Sequence, residues 1–277
     1  MHPEVPIKTI HLFAELDHLL IDVLYNLPIN DWERTTLSPH WNIKDIAAHL
    51  LDGNIRSLST SRDHFFEKKM QPLSQYKEVV AYLNRINNDW VNIMRKISPQ
   101  VIIELLTLTN VMYADHLGEL DPFARSIYPV GWAGESESQN WFHIAREYTE
   151  KWHHQQQIRS AIGEETILFS PALFRPYVET SLRAIPYHLK DFNAREGECV
   201  AITIKDVDTY YLVMSESGWI HHDKGNTDLV SRITIDPKVI WKMFSKEIST
   251  EEVVASADIT GNNNLANKIL GTVAVMA

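Results

Sequence analysis

Apolar residues in the first two-thirds of the chain recur at helical spacing. Between Val5 and Leu27, the residues Ile7, Ile10, Phe13, Ala14, Leu20, Val23, Leu24 and Leu27 predict an amphipathic helix. Pro28 and Asn30 end it. A second helix is predicted from Asn42, whose side chain suits an N-cap, with Asp45 adding a carboxylate to the first turn. Its apolar face is Ile43, Ile46, Ala47, Leu50, Ile55 and Leu58. After a break at Pro72, a third helix is expected from Ser74 to Ile97, striped by Val79, Leu83, Ile86, Trp90, Ile93 and Ile97. Ser98-Pro99 reads as an N-cap and a first-turn proline, opening a fourth helix to Leu117. Gly118 to Ser138, with its Gly, Pro and Trp132, reads as a long loop of the kind often used for function. A further helix is expected over Gln139 to Ile162, stopped by Gly163, and Ser170-Pro171 opens another to Leu189.

After Asn193 the period changes. Cys199–Ile204, Tyr210–Met214, Gly218–His222 and Val230–Ile235 are rich in β-branched and aromatic residues and predict strands. Asp206, Asp208, Gly218, Gly225 and Asn226 mark the breaks. Asp236-Pro237 opens a helix, and a last helix is expected over Asn264 to Val275. These patterns give an α+β protein: a helical part over 1–192 and a smaller α+β part over 193–277.

Composition narrows the function classes. The formal charge is −10 and no Lys/Arg-rich run occurs, so nucleic acid is not an expected partner. No uncharged apolar stretch approaches the roughly 18 residues of a membrane span, and no signal peptide is expected at the N-terminus. The single cysteine, Cys199, allows no intramolecular disulfide and reads as a buried strand residue. A reducing, cytoplasmic location fits. There is no P-loop, dinucleotide fingerprint, nucleophile elbow, Cys-x-x-Cys or His-Glu-x-x-His.

The candidate chemistry lies on helices. Glu150 and His154 are four residues apart and so share one helix face, with Cβ atoms about 5–6 Å apart. A carboxylate oxygen and an imidazole nitrogen so placed can meet one cation. His49, flanked by Ala47 and Ala48 on a facing helix, would supply a third ligand. Two nitrogens and one carboxylate suit Zn²⁺ above all, and also Ni²⁺, Fe²⁺ or Mn²⁺, and three protein ligands leave a position for water or substrate. The plain alternative is an exposed i,i+4 helix pair. His153 faces about 100° away from His154. His143 and Glu147 extend the face as outer partners or as polar surface, Arg146 reads first as a surface charge, Trp152 as core, and His221-His222 as a solvated strand end.

At these residues the chain resembles the DinB-like metal-binding four-helix bundles, in the branch of mycothiol-dependent maleylpyruvate isomerase. Trp41-Asn-Ile-Lys-Asp-Ile-Ala-Ala-His-Leu50 is similar to that family's Trp-x-Val-x-Asp-x-x-x-His-Leu. Glu150-Lys-Trp-His-His154 resembles the branch's Glu-x-Trp-x-His, and Gln157 completes a His-x-x-Gln seen in other members. The tail, Ala257-Asp-Ile-Thr-Gly261 with Leu265-Ala266 and Gly271–Met276, is similar to the sterol-carrier-like domain often fused to such bundles. This sequence carries a second histidine, His153, inside the motif and the run Gln155–Gln157 after it.

The resemblance implies an up-and-down four-helix bundle with His49, Glu150 and His154 as metal ligands. It also implies a small-molecule substrate and a low-molecular-weight thiol such as mycothiol or bacillithiol. In the isomerases implied, a thiol adds to a carbon–carbon double bond, the bond rotates, and elimination follows; in the transferases the thiol stays on the product. Arg146 would then steer a carboxylate substrate and the Gly131-Trp132 loop would cover the site. The same ligands would serve a hydrolase using metal-bound water. A non-catalytic protein holding an apolar ligand in its C-terminal part is a third reading. The oligomeric state is left open, a homodimer included.

Overall fold

The computed structural model describes residues 3–38, 40–66, 76–225 and 228–276. The expected break at Pro72, the expected helix start at Ser74 and the turn residue Asn226 lie outside them. The described residues form an α+β protein, divided into two compact units: 1–129 with 137–176, and 130–136 with 177–277. The division falls inside a helix at Pro176, ahead of the expected 192/193 boundary, because the residues after Pro176 pack with the sheet.

The first unit is built on α1 (Phe13–Tyr25), α2 (Ile43–Ser57), α3 (Tyr76–Met94), α4 (Pro99–Glu119) and α5 (Asn140–Ile162). A 3-10 turn over Ile10–Leu12 precedes α1, so the regular helix starts later than the apolar pattern suggested. α2 opens on a reciprocal capping box, in which Asp45 N–H donates to Asn42 Oδ1 and Asn42 N–H donates to Asp45 Oδ2. The Asp45 carboxylate also takes two bonds from Arg95, at 2.9 and 2.8 Å, tying the start of α2 to the end of α3. α4 opens on Ser98 with Pro99 in the first turn. It runs to Glu119, into the region expected as loop.

Cross-helix pairs set the directions. Arg95 meets Asp45 and Asn87 meets Arg56, so α3 runs back along α2. Asn54 meets Asn110 and Ser61 meets His116, so α4 runs alongside α2 in the same direction. Tyr113 meets Glu147 and Lys151 meets Asn110, so α5 runs against α4. Each successive helix reverses the chain, and α3 is the return stroke outside the four-helix core of α1, α2, α4 and α5. That core holds Leu20, Leu24, Ile43, Ile46, Leu51, Ile102, Leu106 and Ile158. Ile93, expected on the apolar stripe of α3, is instead 60% exposed; Val91 and Met94 are the buried residues there. A 19-residue helix packed mainly on one neighbour, α2, buries only a narrow strip, and periodicity alone does not fix its centre.

In the second unit, β1 (Cys199–Ile204), β2 (Asp208–Ser215), β3 (Gly218–His222), β4 (Leu229–Ile235) and β5 (Asp258–Gly261) form one sheet in the order β3-β2-β1-β4-β5. β1 and β4 are parallel and the other neighbours antiparallel. Cys199 is buried in β1, as its strand context implied, and His221 and His222 are exposed at the end of β3. The helix expected from Ser170 to Leu189 is two: α6 (Pro171–Leu182), with Pro176 inside it, and α7 (Ala184–His188). α8 (Pro237–Phe244) starts as expected, whereas α10 (Asn263–Leu270) ends sooner than Val275. α9 (Thr250–Ala255) and β5 were not foreseen; the Ser249/Glu252 capping box was the available signal for α9. Gly261 at the end of β5 has φ +93, and a Cβ there would fall 2.2 Å from the Val230 carbonyl oxygen, so the motif needs glycine. Gly134 is equally constrained, since a Cβ would meet the Tyr187 ring of α7 at 2.2 Å. The Gly131–Ala133 turn thus belongs with the second unit. No helix among the described residues is long and apolar enough to cross a membrane.

Candidate metal centre

α2 and α5 run antiparallel through the first unit, and their facing sides carry the three residues picked out by spacing and resemblance. His49 lies in the second turn of α2, past the capped start, between Ala48 and Leu50. Glu150 and His154 lie one turn apart in α5. The His49 and His154 Nε2 atoms each approach Glu150 Oε1 to 3.2 Å. All three ligand atoms fall within 4.8 Å of one another. Two donors bound about 2.05 Å from one ion at a tetrahedral angle are about 3.3 Å apart. The two imidazole–carboxylate spacings match that value, and the whole set, within 4.8 Å, is close enough for side-chain adjustment to bring it onto one small divalent transition ion.

Burial is uneven in a useful way. His49 and His154 are 8% and 7% exposed, whereas the Glu150 side chain is 42% exposed. The imidazoles form the floor and the carboxylate sits at the mouth. Exposed pairing, the plain alternative for Glu150/His154, does not describe a histidine this buried. The Trp41 ring covers the floor, with its centroid 4.8 Å from His49 and 6.1 Å from His154.

The donor set calls for positive charge. His154 Nδ1 donates to Gln157 Oε1 at 2.7 Å, which leaves Nε2 to face the carboxylate. A lone pair on nitrogen facing a carboxylate oxygen is repulsive unless a metal ion or a proton lies between them. Burial pushes the Glu150 carboxyl up, but hydrogen bonds donated by His154 and His49 when their Nε2 atoms carry protons outweigh it and hold the group well below the ordinary carboxylate range. The carboxylate is thus ionised, and a metal ion at this place would take over the role of those protons.

One turn toward the N-terminus, the same face of α5 carries a second polar group. Glu147 accepts from Tyr113 OH at 2.7 Å and from Arg146, and Arg146 Nη2 also donates to His143 Nδ1 at 2.8 Å. Arg146 was expected as a surface charge; its side chain is only 20% exposed and is engaged inside the unit. His143 and Glu147 are likewise interior, not polar surface. Burial, reinforced by the Arg146 charge, pushes the His143 imidazole down to about 4, so it is neutral near pH 7.

Behind the site, Lys151 donates to Asp17 at 2.7 Å and to Asn110 Oδ1 at 2.8 Å, and Asn54 donates to the same Asn110 oxygen at 2.7 Å. This polar layer joins α1, α2, α4 and α5. None of its members was singled out from the sequence. The signal was present: Asp17 interrupts Phe13, Leu20 and Leu24, and Asn110 interrupts Ile103, Leu106, Tyr113 and Leu117, each at helical spacing on a buried face. His153 turns away and donates Nδ1–H to the Thr149 carbonyl, with its ring 4.0 Å from that of His154. Trp152 is core, packed on Phe169 and Phe174.

Residues 13–159, more than half of the chain, match the family described as the mycothiol maleylpyruvate isomerase N-terminal domain, and the interval contains His49, Glu150 and His154. Among solved structures, the crystal structure of the mycothiol-dependent maleylpyruvate isomerase superposes with a TM-score of 0.53 at 10% identity, covering 91% of this chain and 92% of that one. A mutant of that enzyme gives the same TM-score of 0.53, 10% identity and coverage of 91% and 92%. At this identity the likeness is one of fold. No curated protein matches the sequence significantly.

Proposed function

Given that the chain belongs to the mycothiol maleylpyruvate isomerase N-terminal domain family, we propose that it is a metal-dependent enzyme that acts on a small molecule with a low-molecular-weight thiol, as an isomerase or S-transferase. One observation carries this reading: two imidazole nitrogens and a carboxylate oxygen converge at 3.2 Å contacts, at ion-binding spacing, on helices whose polar interior holds them in place. His49, Glu150 and His154 would hold the ion. When bound, a divalent transition metal, Zn²⁺ first among the candidates, supplies Lewis acidity to whatever ligand takes the position left by three protein donors.

The chain's own residues do the rest. The half-exposed Glu150 keeps one side of the centre accessible to a small molecule, while Trp41 shields the two imidazoles from water. Gln157 holds the His154 ring and fixes which nitrogen faces the carboxylate. Arg146 balances Glu147, so the carboxylate one turn from Glu150 adds little net negative charge beside the site. Lys151, clamped to Asp17 on α1, anchors the turn of α5 that carries Glu150.

The test is metal content and thiol dependence together. Protein purified without chelator or tag-derived metal is expected to hold one ion per chain by elemental analysis, and His154→Ala to lose it while keeping its helicity. Candidate maleyl- and fumaryl-type isomerisations and thiol transfers are then run with and without mycothiol or bacillithiol. Absence of metal even after reconstitution with Zn²⁺, Ni²⁺, Fe²⁺ and Mn²⁺ would overturn the metalloenzyme reading. Turnover that ignores added thiol and consumes water would replace it with a hydrolase.

A further inference from the structure

The two histidines of the centre are held in different ways. His154 donates Nδ1–H to Gln157 Oε1 at 2.7 Å, and Gln157 is buried three residues along the same helix. That bond selects one tautomer, places the lone pair on Nε2 and raises its basicity as a ligand. Glu150 lies one turn away on the same rigid element, with its Oε1 already 3.2 Å from His154 Nε2. An ion binding to this pair need not order one helix against another.

His49 reaches the site from α2 with no such support. Its Nδ1 is buried and has no hydrogen-bond partner among the described residues. The ring is positioned by packing, against Trp41 at 4.8 Å and edge-on to the His154 ring at 4.7 Å and 74°. For His49 to ligate through Nε2, Nδ1 must carry the proton. That places a donor in a buried position with no acceptor, which weakens the ligand.

Resting on the metal-centre reading above, we propose that the three ligands are unequal: Glu150 and His154, set by Gln157, form the capturing pair, and His49 is the weaker ligand that closes the site. Gln157 is then a positioning residue acting through His154, and Trp41 plays that part, by packing alone, for His49.

The experiment measures Zn²⁺ and Ni²⁺ affinity of the full chain by chelator competition, for wild type, His49→Ala, His154→Ala, Gln157→Leu and Gln157→Glu. The loss in His154→Ala is expected to exceed that in His49→Ala by at least about tenfold, and Gln157→Leu to weaken binding about 10–100-fold. Gln157→Glu keeps an acceptor and is expected to restore most of the loss. Independently of any variant, ¹⁵N NMR of the metal-free protein at pH 8.5 is expected to show the Nδ1–H tautomer for His154 and the opposite, Nε2–H tautomer for His49, which must therefore switch tautomer before it can ligate through Nε2. Equal losses in the two alanine variants, or an Nδ1–H tautomer for His49 with an Nε2–H tautomer for His154, would overturn the inequality while leaving the metal centre intact. A wild-type chain that binds neither ion overturns both.

Discussion

Replacing Lys151 by Met is expected to destabilise the first unit by about 3–5 kcal/mol, and replacing Asp17 by Leu in the same chain to recover most of it. The magnitude follows from the geometry. The Lys151 and Asp17 charges are 2.7 Å apart, with side chains 6% and 9% exposed. At an effective dielectric constant near 20 their attraction is about 6 kcal/mol. Desolvation costs several kcal/mol for each ion, so the pair contributes little net stability. Removing one partner keeps the desolvation cost of the other and forfeits the attraction. Burial pushes the Asp17 carboxyl above its ordinary range even with Lys151 beside it, so its ionisation already opposes folding. The sign follows: as pH rises through the carboxylate range the unfolded chain gives up the Asp17 proton first, and stability falls. Without Lys151 this fall is larger and continues to higher pH, so the Lys151→Met penalty is smallest in acid. In the double variant Asn110 Oδ1 still accepts from Asn54, so loss of Lys151 does not strand that oxygen. Calorimetric melting at pH 4 and pH 7 is the assay. At roughly 2–4 °C per kcal/mol, the single variant at pH 7 is expected to melt roughly 10 °C lower. A single-variant shift under about 2 °C, or a double variant as unstable as the two singles summed, would show that the pair is neither dry nor coupled.

Three further outcomes are expected. Burial pushes Asp52 up to about 6 against the pull of Arg56, so it withdraws stability as pH rises from its unfolded value toward 6. Asp52→Asn is expected to flatten that slope by up to about 3 kcal/mol between pH 4 and pH 7, read by denaturant unfolding at each pH; an unchanged slope would refute the assignment. His143, pushed down to about 4 by burial and Arg146, contributes stability that is present above the ordinary histidine range and is lost as pH falls through 4. Its imidazole is expected to remain neutral by NMR at pH 5.5, and protonation near 6.5 would contradict its placement. Asn42→Ala removes the capping box of α2 and is expected to cost about 0.5–2 kcal/mol in thermal melts without loss of bound metal, since His49 is well inside the helix.

Local chemistry made much of the fold legible in the sequence. The caps at Asn42 and Ser98, the stop at Gly163 and the β-branched runs after Asn193 depend only on near neighbours, and each marks an element where it stands. The Glu150/His154 pair was legible for the same reason, since helix geometry alone brings positions four apart together. The third member of the cluster was much less so: His49 and Glu150 are 101 residues apart in sequence, and spacing alone could offer His49 only as a candidate from a facing helix until family resemblance, and then the packing of α2 on α5, joined them. The interior partners of the site were hidden in the same way. Arg146 looks like a surface charge until Glu147 and His143 fold around it. Lys151 has no visible reason to be buried until Asp17, 134 residues earlier, arrives opposite it. Periodicity reports which face of a helix is apolar. Which polar residues that face will tolerate depends on what the neighbouring helix offers them, and that is decided only when the bundle closes.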